Sequence, residues 1–335
     1  MIDVRGLRVH YPLRRSLGAW LRREPPGLVR AVDGVDLRIG KGEIVALVGE
    51  SGSGKTTTGR ALVRLAPITS GSVWLEDRDM SDVTGRALRD YRRRVQIIFQ
   101  DPYESLDPRR TIGDQVAEPL AVQGIGTPDE RATRVDRALE DAGLRPAARY
   151  RDRFPHELSG GQRQRVAIAS AMVLDPDMLV ADEPVSMLDV SLRSGILRVM
   201  LDLRERRGVG ILFITHDLSL AWLIADRIAV MYLGRIVEIG PAEALVRDPR
   251  HPYTRALLSV MPSPDPSRRR QRQILRGETP DASRIPSGCR FHTRCPLAFD
   301  RCRIEDPAPL EVGPGHTAAC FLADDPGQVK GDLSG

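Results

Sequence analysis

Lysine is almost absent from this sequence: Lys41, Lys55 and Lys330 are the only ones, although lysine and arginine together number 50. Positive charge is therefore carried by arginine, and 45 acidic residues bring the formal net charge to +5. Such a balance admits nucleic acid or an anionic membrane surface as a partner. The acidic residues are interspersed throughout, however, which fits a general preference for arginine better than a binding tail. In a chain that writes arginine nearly everywhere, a lysine inside a glycine-rich loop is there for its chemistry. Aromatic residues are scarce at 4%, and cysteine is missing from the first 288 residues, with all four between Cys289 and Cys320. No apolar run reaches the ~18–20 residues that span a bilayer. The N-terminal residues, MIDVRGLRVHYP, mix charges and lack an apolar signal core. A cytoplasmic chain is expected, one that would need other subunits to cross a membrane. At 335 residues and 41% hydrophobic content there is ample material for a large core.

Periodicity predicts an α/β layout. Residues 1–11 and 31–48 read as strands, with Val32, Val35, Leu37 and Ile39 alternating against polar neighbours. The arginine-rich residues 13–30, with Pro25 and Pro26, read as an inserted surface loop. Residues 44–48 form a continuous apolar run ending in glycine, as a buried parallel strand does. Residues from about 103 to 173 are helical in pattern. Two further buried strands are predicted at 178–181 and 211–215, and a hairpin over 228–239 turning at Gly234. After Pro241 the character changes: Pro262, Pro264 and Pro266 precede an arginine-rich stretch, 268–272, which reads as a solvated linker. Polar residues thus stand just beyond the C-terminal ends of buried strands, where open parallel sheets bind ligands.

The first strand end carries Gly49-Glu50-Ser51-Gly52-Ser53-Gly54-Lys55-Thr56, a full match to G-x-x-x-x-G-K-[ST] between a buried strand and a helix. The glycines let the backbone wrap a phosphate, Lys55 can neutralise the β- and γ-phosphates, and the Thr56 hydroxyl can coordinate Mg²⁺. Gly49, Ser51, Gly52, Ser53, Gly54, Lys55, Thr56 and Thr57 are the candidate contacts to ATP. The second strand delivers Asp182, a candidate Mg²⁺ ligand, and Glu183, placed to orient or deprotonate an attacking water. An ordinary strand end stopped by Pro184 has the same local appearance. His216 follows the third strand and can donate to a γ-phosphate, while Gln100 follows apolar residues 95–99 and can reach Mg²⁺ and the water.

Leu158-Ser159-Gly160-Gly161-Gln162 has a serine hydroxyl and two unobstructed glycines at a helix expected to start at about Gln162, the make-up of an anion site. With these motifs in this order, the chain over residues 1–245 resembles the ATP-binding cassette (ABC) ATPases. Residues 49–56 resemble their Walker A loop, Gln100 the Q-loop glutamine, and 158–162 the signature. Residues 178–183 resemble Walker B with its catalytic glutamate, Ser186-Met187-Leu188-Asp189 the D-loop, and His216 the switch histidine. Tyr11 resembles the aromatic residue that stacks on adenine, although residues 13–30 separate it unusually far from Gly49. The resemblance implies a RecA-like P-loop core, an antiparallel β-subdomain and a helical subdomain at about 103–173. It also implies a head-to-tail dimer in which Ser159, Gly160, Gly161, Gln162 and Asp189 complete the ATP site of the partner. Residues 100–109 and 251–258 are similar to stretches of dipeptide and oligopeptide importer ATPases, and residues 182–189, DEPVSMLD, to the second of their paired ATPase subunits. The implied partners are a second, distinct ABC ATPase, two transmembrane permease subunits and an extracellular solute-binding protein, with this chain at the cytoplasmic face of the membrane. No nucleic acid is expected. Importers of nickel, oligosaccharide and other solutes share the subtype and stand as alternatives, as does a soluble ABC ATPase acting on nucleic acid.

Residues 246–335 are expected to form a small irregular extension around Cys289, Cys295, Cys302 and Cys320, spaced C-x5-C-x6-C-x17-C. A reducing cytosol disfavours disulfides, and structural zinc sites usually draw on tighter pairs. Cys295-Pro296 and the Pro/Gly-rich setting suit an iron–sulfur cluster. The tail is also similar to that of peptide-importer ATPases, which implies a 4Fe–4S cluster. Zinc and unligated thiols are the alternatives.

Overall fold

The computed structural model describes residues 1–13, 27–101, 105–261, 275 and 277–324. Two sheets organise the chain. A four-stranded antiparallel sheet contains β1 (Ile2–Pro12), β2 (Leu28–Ile39), β4 (Ser70–Leu75) and β5 (Arg78–Asp79) in the order β2-β1-β4-β5. The main sheet places β3 (Ile44–Val48) at its centre. On one side of β3 lie β8 (Gly210–Thr215), β7 (Met178–Asp182) and β6 (Val95–Ile98), all parallel to it. On the other side, β9 (Arg227–Tyr232) is parallel to β3 and turns at Gly234 into antiparallel β10 (Arg235–Pro241).

The side-chain period of two explains why β3 is apolar at every position. Ile44, Ala46 and Val48 enter one buried cluster, shared with the helices, whereas Val45 and Leu47 enter a second, shared with the antiparallel sheet. Leu179 and Ala181 of β7 divide from Met178 and Val180 in the same way. The strands are therefore held from both faces, and their C-terminal ends emerge together at one edge.

The expected helical region is present. It contains α3 (Ile112–Gln123), α4 (Pro128–Asp141) and α5 (Gly160–Met172), which pack on one another. Local chemistry sets their ends. Thr111 caps α3 by accepting from Asp114 N–H, and left-handed Gly124 ends it. Thr127 and Glu130 form a reciprocal capping box on α4. The phosphate loop leads into α1 (Lys55–Leu62), and α2 (Gly85–Arg94) precedes β6. The long α6 (Val190–Arg207) and the short α7 (Leu218–Ile224) follow β7 and β8.

Three expectations shift. The strand expected from residue 31 begins at Leu28, because Leu28 and Val29 pair with Pro12 and Tyr11. The helix expected from Gln162 begins at Gly160: Ser159 accepts from Gln162 N–H while the Gln162 side chain accepts from Ser159 N–H, which draws both glycines into the first turn. The C-terminal extension also does more than append irregular chain. After α8 (Ala242–Arg247), α9 (Pro252–Ser259) and α10 (Asp300–Ile304), β11 (Leu310–Gly313) and β12 (His316–Ala318) continue the main sheet beyond β10. The readings of residues 14–26, of 102–104, and of the prolines and arginines between 262 and 272 fall outside the described residues.

Glu238 on β10 ties the extension down. Its carboxylate is buried and accepts from Arg250 N–H at 2.7 Å and His251 N–H at 3.0 Å, and it pairs with His316 Nε2 at 2.8 Å. Tyr232, Tyr253 and Phe291 meet nearby at tilted and edge-to-face angles, with centroids 4.8–5.4 Å apart. In a chain with only 15 aromatic residues (3 Trp, 6 Tyr and 6 Phe), this is a concentrated anchor.

Candidate functional site

At the common strand edge lies a cleft of about 700 Å³ lined by Gly52, Gly54, Lys55, Thr56, Thr57, Gln100, Glu183 and His216, among others. The phosphate loop reaches its shape through backbone that only glycine supplies. Gly54 has φ +107, and a Cβ there would lie 2.2 Å from the Ala31 carbonyl oxygen on β2. A Cβ on Gly49 would lie 2.2 Å from the carbonyl oxygen of Met231 on β9. The loop is thus wedged between β2 and β9, and α1 presents its first N–H groups to the cleft.

Lys55 is buried, and its Nζ donates to the carbonyls of Gly49 and Glu50, both at 2.8 Å, and to Ser53 Oγ at 3.4 Å. Burial lowers its pKa against the pull of Glu183, Asp182 and Glu50. Thr56 Oγ1 donates to Asp182 Oδ1 at 3.0 Å, joining α1 to the end of β7. Burial raises the Asp182 carboxyl, with the Thr56 hydrogen bond opposing and neighbouring Glu183 adding to the rise. This hidden carboxylate and hydroxyl form a hard oxygen donor pair of the kind Mg²⁺ takes.

Glu183 is left-handed at φ +47, uncommon for a residue with a side chain, and its N–H donates to the Ile214 carbonyl at 3.0 Å. The turn brings its carboxylate between two partners. Gln100 Nε2 donates to Glu183 Oε2 at 3.3 Å, and His216 Nδ1 lies 3.3 Å from Glu183 Oε1. Three residues drawn from three strand ends therefore meet at one carboxylate. Such a group can hold a water in line with a phosphate anchored by the loop.

Of the remaining candidates, Tyr11 is partly exposed and pairs with Val29, a residue of the cleft wall, but is not itself in the lining. Ser159, Gly160, Gly161, Gln162 and Asp189 also stand outside the lining. They sit close to one another, because a Cβ on Gly161 would touch Leu192 of α6 at 3.4 Å and Asp189 is the N-cap of that helix. Around them Met187, Val190 and Leu192 are 59%, 78% and 41% exposed.

Three of the four thiols are held in their neutral form by burial and by the cysteines around them. Burial pushes Cys289 up to about 11, with Cys302 and Cys320 adding to it, and pushes Cys295 up to about 12, with Cys320, Cys289 and Cys302 adding. Burial raises Cys320 too. Among the described residues, no three or more His, Cys, Asp or Glu side chains are gathered so as to hold a metal ion, so the cysteines are not assembled as the expected cluster would have them.

The sequence-based reading left out the part the extension takes in this site. Leu257 and Ala282 line the cleft beside Val29 and Ala31. The Tyr253 hydroxyl accepts from Glu50 N–H at 2.9 Å, and Arg294 and Thr279 hold the Glu50 carboxylate. One signal was visible: an acidic residue inside a phosphate-binding loop calls for a counter-charge.

Comparison with known proteins agrees with this geometry. Residues 32–186 match the family model for ABC transporters, and 237–302 match that for the C-terminal region of oligopeptide/dipeptide transporters. A putative peptide import ATP-binding protein of Brucella ovis is 49% identical over 96% of this chain and 97% of its own length. The dipeptide transport ATP-binding protein DppF of Haemophilus influenzae is 43% identical over 97% of each chain. The oligopeptide transport ATP-binding protein AppF of Bacillus subtilis is 41% identical over 96% of this chain and 97% of its own. Among solved structures, a dimeric ATP-binding cassette in a post-hydrolysis state with ADP and Pi superposes with TM-score 0.62 at 28% identity, covering 72% of this chain and 99% of that one. CbiO1 of Clostridium perfringens, part of a transporter complex, gives TM-score 0.62 at 28% identity, with 74% and 90% covered.

Proposed function

The chain belongs to the ABC transporter family of ATP-binding subunits, and we propose that it is the ATPase that powers an importer of dipeptides and oligopeptides. The carrying observation is the meeting of Gln100, Glu183 and His216 beside Lys55 and Thr56 in one cleft. ATP binds with its phosphates along residues 49–56, where loop N–H groups, the α1 N-terminus and Lys55 receive the negative charge. Thr56, Gln100 and Asp182 would hold Mg²⁺, which would supply positive charge against the phosphates. Glu183 orients a water whose oxygen attacks the γ-phosphorus and accepts the proton released. The bond from that phosphorus to the bridging oxygen breaks, leaving ADP and phosphate. His216 donates to the γ-phosphate oxygens and steadies Glu183 from the other side.

The finer assignments belong to the same reading. We place the nucleotide-binding domain at 1–245 and a peptide-importer-type extension at 246–335. The partner is a second, paired ABC ATPase; both dock on two transmembrane permease subunits that receive cargo from an extracellular solute-binding protein. Among the described residues no helix is long and apolar enough to cross a membrane, in keeping with a peripheral place on the cytoplasmic face. The names of the relatives and the match over 237–302 support peptides as the cargo class.

For the cysteines we propose a 4Fe–4S cluster held by Cys289, Cys295, Cys302 and Cys320. Support comes from the four partly buried thiols in a Pro/Gly-rich segment, three of which, Cys289, Cys295 and Cys320, burial keeps from ionising unless a cationic centre compensates. Zinc is the alternative on the same thiols, although structural zinc usually draws on tighter Cys pairs than these. Protein purified without oxygen should contain iron and absorb broadly near ~400 nm; zinc without iron would reverse the assignment.

Deleting the gene should abolish uptake of labelled dipeptides and oligopeptides, and the tagged chain should co-purify with integral membrane subunits. Unchanged peptide uptake with lost nickel or oligosaccharide uptake would move the cargo to that class. Recovery with ribosomes or DNA in place of membrane subunits would remove the importer reading altogether.

A further inference from the structure

Glu50 puts a carboxylate in the phosphate loop, beside the place where a polyanion must bind. Its structural surroundings answer the difficulty from far away in sequence. Arg294 grips it as a fork, Nη1 to Oε2 at 2.7 Å and Nη2 to Oε1 at 3.2 Å, a bidentate geometry that neutralises as well as orients. Thr279 bridges the two, donating to Glu50 while accepting from Arg294 Nη1 at 3.2 Å. The Tyr253 hydroxyl accepts from Glu50 N–H, so main chain and side chain are both held. Burial by itself would raise the Glu50 carboxyl, but the hydrogen bonds from Arg294 and Thr279 and the charges of Arg294 and Lys55 keep it below its ordinary pKa. The carboxylate is therefore ionised when nucleotide arrives.

Arg294 is itself fixed in place. Its side chain is 8% exposed, and its guanidinium carbon lies 5.9 Å from the ring centroid of Tyr232. It directly precedes Cys295. Four residues earlier Arg290, next to Cys289, makes the matching reach: it pairs with the buried Asp33 on β2 and donates to the Leu233 carbonyl at 2.6 Å. The cysteine-bearing segment is thus pinned by two arginines to two elements that frame the cleft, one to β2 and one to the phosphate loop.

We infer that Arg294 is a positioning residue of the nucleotide site, contributed by the cysteine-bearing extension, which cancels the charge of Glu50 and thereby sets the affinity of the phosphate loop for ATP. This deepens the reading of residues 49–56 as the ATP site and rests on it. With the fork intact, the loop faces ATP with the positive charge of Lys55 uncancelled. Without it, an unpaired carboxylate repels the incoming polyphosphate and is free to take Lys55 for itself.

The test is nucleotide binding by the full chain, using a fluorescent ATP analogue, in Arg294→Gln, Arg294→Lys and the double variant Arg294→Gln/Glu50→Gln. Arg294→Gln should raise the Kd for ATP about tenfold, the order expected from one uncompensated charge near the phosphates. It should raise the Kd for the corresponding AMP analogue much less, because fewer charges are repelled. Arg294→Lys should stay within about threefold of the wild type, and the double variant should recover most of the loss. A mere structural bolt would fail differently: Gln and Lys would weaken binding alike, ATP and AMP would suffer equally, and the second substitution would rescue nothing. That pattern, or an unchanged Kd in Arg294→Gln, overturns the inference. Should Arg294→Gln fail to fold, the comparison of the Lys variant and the double variant with the wild type still decides. A wild-type chain that does not bind ATP would instead refute the reading of residues 49–56.

Discussion

At the scale of single residues, His251 shows how one buried side chain sets a pH limit on the whole fold. Its ring is 1% exposed, and its Nδ1 accepts from Tyr253 N–H at 3.1 Å as the N-cap of α9. Phe291 packs on one side at 5.6 Å between centroids, and Glu238, His316 and Arg250 are the titratable groups of the same hub. Burial lowers its pKa to about 4, although Glu238 favours the charged form. Unfolded, it returns to the ordinary value of 6.5. Between those values the unfolded chain binds a proton that the folded chain refuses, so stability falls as pH falls. The stabilisation is fully present above pH ~6.5, and the part lost by pH 5 is about 2 kcal/mol. His251→Asn keeps an acceptor for the Tyr253 N–H and removes the proton site. Urea midpoints of the wild type should drop from pH 7.5 to pH 5 by more than those of the variant, by about that amount. Parallel pH profiles would show that His251 is not the group responsible.

At the scale of elements, what was legible in the sequence was whatever its own neighbours dictate. Residues 49–56 must follow a buried strand and open a helix, and Asp182, Glu183 and His216 must end apolar runs, so their meeting at one edge could be foreseen from the parallel-sheet rule. The capping box of Ser159 and Gln162 was equally local, yet it shifted the helix start by two residues, because reciprocal side-chain bonds decide boundaries that composition leaves open. Sequence alone could not show that β11 and β12 would extend the main sheet. They are short and separated by Pro314, and only β12 pairs with β10, through Glu238 opposite Ala318 and Ile239 opposite Thr317, with β11 carried on β12. The Arg294–Glu50 fork joins residues 244 apart. In a chain with arginine nearly everywhere, nothing marks that one as special. Its neighbour Cys295 was read for metal chemistry, and the phosphate loop for its glycines and lysine; only packing brought the two together.

At the scale of the whole molecule, the cleft contains one half of what hydrolysis requires. Lys55, Thr56, Gln100, Glu183 and His216 surround it, whereas Ser159, Gly160, Gly161, Gln162 and Asp189 stand together elsewhere, ringed by exposed Met187, Val190 and Leu192. A γ-phosphate held by the loop is open on its far side. The helix start of α5 offers N–H donors of the kind that receive an anion. Both are satisfied if a second cassette lays its signature over this loop and receives this signature over its own. ATP then acts as the adhesive, since its phosphates are shared across the interface, and hydrolysis removes the shared group and releases the pair. Such a cycle predicts that slowing the chemistry traps the closed state. Glu183→Gln keeps the size of the side chain and its contact with Gln100 but cannot accept the proton. With ATP, this variant, alone or with the paired ATPase carrying the same change, should run as a dimer in size-exclusion chromatography and turn over at least ~100-fold more slowly than wild type. With ADP it should run as a monomer. If Ser159 serves the neighbour's nucleotide, replacing it by Arg in the same background should abolish the dimer while leaving ATP binding by the single chain intact. Wild-type turnover in Glu183→Gln would remove Glu183 from the chemistry. A Glu183→Gln chain that holds ATP yet stays monomeric under both conditions would mean that its site is completed in some other way than by a partner's signature.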